Sequence, residues 1–97
     1  MRIWLDDDDN RKMPEGYVRA HSVNEAKHLV AKCEHEGETI EELNLDNDLG
    51  AFEKDGGDGH CLLDWLAETG RFYPVTLHTM NPVERQNMLR TIRRHWD

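Results

Sequence analysis

Cysteine is scarce in this chain. Cys33 and Cys61 are the two present, and they form neither a CxxC pair nor a zinc-ligand spacing. A zinc module is thereby excluded. The expectation is two reduced thiols in a cytoplasmic protein, with a bond between them left open. Long apolar runs are missing as well. No stretch nears the ~20 residues that cross a bilayer, and no apolar signal region follows Met1, so no membrane partner is expected. Positive charge is in short supply: 12 Lys and Arg stand against 20 Asp and Glu, for a net charge of −8. General nucleic-acid surfaces are basic, so that class is excluded. A small anion held by local basic residues and a metal is not. Aromatic residues are few, and Trp4 and Trp65 are read as core rather than as platforms for stacked bases. Repeats and low-complexity linkers are absent apart from the run Asp6–Asp9. The 97 residues leave room for one domain, 1–97, with a modest core. A homo-oligomer is left open.

What the chain does have is two apolar strands that end in acid. Leu43-Asn44-Leu45 alternates as a strand does, then runs into Asp46, Asn47, Asp48 and the turn residue Gly50. Ile3-Trp4-Leu5 ends in the same way at Asp6 and Asp7. In open α/β sheets, ligands collect beyond the carboxyl ends of strands. If these two strands are parallel neighbours, Asp6, Asp7 and Asp46 meet at one rim. Three carboxylates there repel one another unless a hard divalent cation such as Mg²⁺ or Mn²⁺ lies between them. For Asp8 and Asp9 a solvated acidic turn is a sufficient reading.

Taken in order, the expected elements are a strand at Arg2–Leu5, a polar loop over Asp6–Gly16, and a strand at Tyr17–His21. A helix opens with the capping box Ser22-Val23-Asn24-Glu25 and runs to about Cys33. A strand follows at Ile40–Leu45, then a loop with Gly56, Gly57 and Gly59 that is either mobile or brings backbone close to a ligand. Next come a helix from about His60 to Thr69, a strand at Pro74–Thr79, and a last helix capped by Asn81 with Pro82 at its first position. Such alternation implies a mostly parallel sheet with packed helices. The first crossover is awkward, because parallel neighbours normally need a dozen or more residues between them.

The last strand adds His78 and Thr79 to the same rim. An imidazole can act as general acid or base near neutral pH, although a strand-end histidine is often a plain hydrogen-bonded surface residue. The Thr79 hydroxyl can donate to a phosphate oxygen. The helix from Pro82 presents free amides and the positive end of its dipole, with Arg85 in its first turn. Of the loop cations Arg11, Lys12 and Lys54, one is expected to meet the anion. Carboxylates for a cation beside donors for an oxyanion suit a metal-bridged phosphate.

These residues resemble a known family. Asp6-Asp7, Asp46 and Thr79 are placed like the acidic pair, the phospho-accepting aspartate and the hydroxyl residue of response-regulator receiver domains. The chain departs from that pattern in a shrunken first helix and in the absence of the fifth strand with its lysine. Leu5-Asp6-Asp7, Pro14 to Gly16, Leu45 to Gly50, Trp65-Leu66 and His78 to Asn81 together resemble a small receiver-derived group, the cyclic-phosphate processing receiver domains. The position between Asp46 and Asp48 is often histidine in that group and is Asn47 here. The resemblance implies a receiver-like (flavodoxin-like) three-layer α/β sandwich, truncated to about four mostly parallel strands with three helices. It also implies the processing of cyclic phosphate groups, and the first hypothesis built on it is metal-dependent hydrolysis of a cyclic phosphate on a nucleotide or RNA end. Asp6, Asp7 and Asp46 would hold Mg²⁺ or Mn²⁺. His78, Asp46 and Asp48 would carry the chemistry. Thr79, Asn81, Arg85, Arg11 and Asn47 would bind the phosphate. Two other readings stand beside it: a module that binds a cyclic or phosphorylated nucleotide without cleaving it, and a phospho-accepting receiver, against which the missing lysine counts.

Overall fold

Ile3 and Leu5 leave the first strand on one side and Trp4 on the other, and this alternation decides which face of the sheet is covered. The computed structural model describes residues 1–96. Its strands are β1 (Arg2–Leu5), β2 (Tyr17–Ala20), β3 (Glu42–Leu45) and β4 (Val75–Leu77). All pairings are parallel, in the order β2-β1-β3-β4. Ile3 lies opposite Leu43, and Leu5 lies opposite both Ala20 and Leu45, which in turn faces Leu77. One face of the sheet is therefore continuous hydrocarbon.

Three helices cover that face: α1 (Val23–Glu36), α2 (Gly59–Glu68) and α3 (Pro82–His95). Val23, Ala26 and Val30 of α1, Leu62, Leu63 and Leu66 of α2, and Met88 of α3 join Ile3, Leu5, Leu43 and Leu45 in a single cluster. The steps β2→β3 and β3→β4 move the same way along the sheet, so right-handed crossovers place their helices on the same side. The step β1→β2 runs the other way and would put a helix on the opposite face, but Asp6–Gly16 holds none. The receiver-like α/β fold is thus present with its truncation falling on one layer: the three-layer sandwich becomes two.

That helix-free parallel connection closes because side chains tie it down. Asp6 Oδ1 accepts from Asp8 N and Asp8 Oδ1 from Asn10 N, two successive aspartate turns. Arg19 of β2 reaches back, donating from Nη1 to the Asp8 carbonyl at 3.0 Å and from Nη2 to the Arg11 carbonyl at 2.9 Å.

Element ends follow local signals, with small shifts. The Ser22 hydroxyl caps α1 by accepting from Glu25 N, while Glu25 reaches back to His21 N. α1 runs on to Glu36 because its stop is Gly37, at φ 71°. β2 ends at Ala20, β3 begins at Glu42, and β4 ends at Leu77, which leaves His78 and Thr79 just past the strand. At the start of the expected loop over Ala51–Gly59, one short 3₁₀ turn forms at Gly50–Lys54. No helix among the described residues is long and apolar enough to cross a membrane.

Candidate metal and phosphate site

Leu5, Leu45 and Leu77 sit side by side in the register, so the residues after them, Asp6, Asp46 and His78, form the next row. Side chains alternate along strands, so this row emerges on the side away from the helices. The backbone keeps the row in line: Asp46 N donates to the Leu5 carbonyl and His78 N to the Leu45 carbonyl, both at 3.0 Å. Asp6 is fully buried and Asp46 nearly so.

One cation of the chain already lies across the carboxylates. Arg11 Nη1 donates to Asp6 Oδ2 at 3.2 Å and to Asp46 Oδ2 at 3.1 Å. His78 Nε2 lies 3.1 Å from the same Asp6 Oδ2. Asp6, Asp46 and His78 each offer one ligand atom, all within 4.8 Å of one another. Two carboxylates, an imidazole and a guanidinium standing where positive charge is wanted fit a divalent cation. Burial, reinforced by the Asp6 charge, raises the Asp46 pKa from 3.8 to about 6, against the opposing Asn47 N–H and Arg11. Burial lowers the His78 pKa, against the opposing Asp6 carboxylate.

A cleft of about 670 Å³ opens beside this row and reaches Asp46, with Asp6 and His78 behind its lining. Its wall carries Asp7, Asp8, Asp9, Asp46, Asp48 and Glu84, and Arg11 is its one cationic side chain. Thr79 and Asn81 also line it. Gly50, at φ 55°, lets the loop after β3 close on Asp7, since a Cβ there would stand 2.8 Å from Asp7 Oδ2.

The expected site residues divide into three groups. Asp6, Asp46, His78 and Arg11 meet one another, Asp46 and Arg11 on the cleft and Asp6 and His78 behind it. Asp7, Asp48 and Thr79 stand on the wall. Asn47, Asn81 and Arg85 are engaged elsewhere. The buried Asn47 amide oxygen accepts from His60 N at 2.9 Å and ties down α2. Arg85 Nη1 donates to the Leu77 carbonyl at 3.0 Å, which locks α3 to the end of β4. Asn81 Oδ1 accepts from both Val83 N and Glu84 N. The amides expected to be free for an anion are therefore satisfied by the cap, and Pro82 has none to offer. Asn81→Ala is expected to cost about 1 kcal/mol of stability, read from the denaturation midpoint, with metal affinity unchanged. A loss of metal affinity in that variant would instead give Asn81 a place in the site.

Sequence reasoning overlooked the residues behind His78. His78 Nδ1 lies 2.7 Å from Asn44 Oδ1, Asn44 Nδ2 donates to Glu42 at 3.2 Å, and Tyr17 OH donates to the same Glu42 oxygen at 2.7 Å. Trp4 lies flat on the His78 ring, with centroids 3.9 Å apart. One signal was available: residues two apart on a strand share a face, so Asn44 must lie directly below Asp46.

Four parallel strands ending in a buried acidic row, with helices packed behind, define a receiver-like α/β domain. The family model for the Cyclic-phosphate processing Receiver domain matches residues 1–94. The chain belongs to that family, whose name ties it to the processing of cyclic phosphates. No curated protein and no solved structure matches the chain.

Proposed function

We propose that this domain hydrolyses a cyclic phosphate, on a nucleotide or an RNA end, with a divalent cation held by Asp6 and Asp46. One observation carries the reading: the buried Asp46, with Asp6 behind it, opens onto a cleft lined by five further carboxylates and a single cation. A phosphate enters such a cleft only with a cation to offset the wall.

A divalent ion there would supply charge neutralisation and Lewis acidity at the phosphorus. The residues of the chain supply the rest. The Thr79 Oγ1 already accepts from Asn81 N, so its own proton is free for a phosphate oxygen. Arg11 provides the positive side chain for a second oxygen. Asp48 has one oxygen held by Gly50 N, and its other oxygen takes a proton from the attacking water. The water oxygen bonds to phosphorus, one ring P–O bond breaks, and the departing oxygen gains a proton from solvent. His78 is not used as the acid in this scheme, because both ring nitrogens are engaged and it stands off the cleft wall.

The test is incubation with a panel of 2′,3′-cyclic and 3′,5′-cyclic nucleotides and cyclic oligonucleotides, with Mg²⁺, with Mn²⁺ and with chelator. Metal-dependent conversion of one class, lost in Asp48→Asn, is expected by chromatography. Tight binding with the ligand recovered intact would replace hydrolysis by the sensor reading.

A further inference from the structure

Beneath the site His78 Nε2 faces the Asp6 carboxylate, and the residues behind the ring fix the role of its other nitrogen. Glu42 and Asn44, two apart on β3, point to the face without helices. A carboxylate only accepts, so the Asn44 amide nitrogen must turn to Glu42, 3.2 Å away, and its oxygen must turn to His78. Tyr17 OH pins that Glu42 oxygen from the neighbouring side of the sheet at 2.7 Å. Facing an amide oxygen at 2.7 Å, His78 Nδ1 must carry hydrogen. Trp4, stacked at an interplanar angle of 8°, stops the ring from turning over. With Nδ1 carrying hydrogen, the lone pair of a neutral ring falls on Nε2, 3.1 Å from Asp6 Oδ2 with Asp46 alongside. Arg11 Nη1 serves Asp6 Oδ2 and Asp46 Oδ2 but not His78 Nε2, so the two lone pairs still call for a shared proton or a metal ion.

We propose that His78 is a metal ligand. Its Nε2 joins the carboxylates of Asp6 and Asp46 in a mixed nitrogen–oxygen site that takes a first-row transition ion such as Mn²⁺ or Co²⁺ in preference to Mg²⁺. The chain Tyr17–Glu42–Asn44 is the device that holds the imidazole in its ligating tautomer. This rests on the metal-dependent reading above and changes the third ligand and the kind of ion. An imidazole suits transition ions, whereas Mg²⁺ prefers oxygen and water. Partners behind a ligating histidine orient it, and their loss typically weakens binding by about 10–100-fold. The rival occupant is a single proton, which would make His78 and Asp6 an ion pair and leave His78 outside the metal shell.

The first experiment uses the unaltered chain loaded with Mn²⁺ and reads nitrogen modulation by pulsed electron paramagnetic resonance. Modulation from a directly bound imidazole nitrogen is expected, and it should vanish in His78→Gln. The second compares Asn44→Leu with the parent by calorimetry. Affinity for Mn²⁺ and Co²⁺ should fall about 10–100-fold while affinity for Mg²⁺ stays within about twofold. Bound Mn²⁺ without nitrogen modulation would overturn the inference and leave the hydrolysis reading standing. Absence of any Mn²⁺, Co²⁺ or Mg²⁺ binding would overturn both. Equal losses for all three ions in a folded Asn44→Leu would reduce Asn44 to a structural residue and overturn the tautomer device.

Discussion

Asp46→Asn is expected to abolish metal binding and turnover together while making the metal-free protein more stable at alkaline pH. The second half follows from burial. The folded state raises the Asp46 pKa to about 6 from an ordinary 3.8, so it holds this proton more tightly than the unfolded chain does. Between those values the folded state binds more protons, and its stability therefore falls as pH rises through that window. Above it the full penalty stands. A shift of this size corresponds to a cost on the order of 3 kcal/mol. Asparagine keeps an oxygen for the Asn47 N–H, removes the charge and thus the penalty, and gives up a contact with the half-exposed Arg11. Urea denaturation in chelator at pH 5 and pH 8 checks this. The difference between parent and variant should open with pH in favour of the variant, and added metal should restore the parent alone. A variant no more stable at pH 8 would mean that the Arg11 contact outweighs burial. Unchanged turnover would remove Asp46 from the mechanism.

Gly59→Ala is expected to be the most destabilising of the glycine substitutions in the 56–59 loop and its neighbour helix. Gly59 opens α2, and a Cβ there would stand 1.9 Å from the Asp46 carbonyl oxygen and 3.0 Å from Asn47 Cα. Both are backbone atoms, so no rotamer change relieves the clash. The same contact is held shut by the Gly59 N–H, which donates to the Asn47 carbonyl at 2.8 Å. Alanine must push the start of α2 away from the strand end that carries Asp46. A loss of at least about 3 kcal/mol is expected, together with weaker metal binding as Asp46 moves. Gly70→Ala is the control: nothing lies within 4 Å of its Cβ, but its φ is 68°, which costs an alanine about 1–2 kcal/mol. If the two variants lose the same stability, α2 slides more freely than this packing implies.

The glycine loop shows where sequence reading stops. Gly56, Gly57 and Gly59 signal close backbone approach, but local sequence does not say to what. The structure supplies the answer: Gly56 approaches Asn24, Gly57 approaches Cys61, and Gly59 approaches the backbone of Asp46. Asn81 teaches the same lesson in reverse. Its identity as a cap was legible, because a cap is satisfied within its own turn. That the capping oxygen would occupy both Val83 N and Glu84 N, leaving them closed to an anion, depends on a side-chain rotamer.

The chain by itself determined whatever depends on near neighbours in sequence. The apolar alternation of Ile3–Leu5 and Leu43–Leu45, the caps at Ser22, Asn81 and Gly37, and the order of strands and helices are local properties, and they sufficed for a mostly parallel sheet with packed helices, which the motif resemblance made receiver-like. The row Asp6, Asp46 and His78 was not singled out, because the sequence groups Asp7 with Asp6 and Asp46; the register shows that each member of the row follows a leucine at the same level of the sheet. Tertiary structure alone decided what competes for each polar atom. Arg11 lies across two carboxylates, Asn44 and Glu42 stand behind His78, and all three helices share one face because Asp6–Gly16 returns without a helix. Those outcomes depend on distances between segments far apart in the chain, and no local period encodes them.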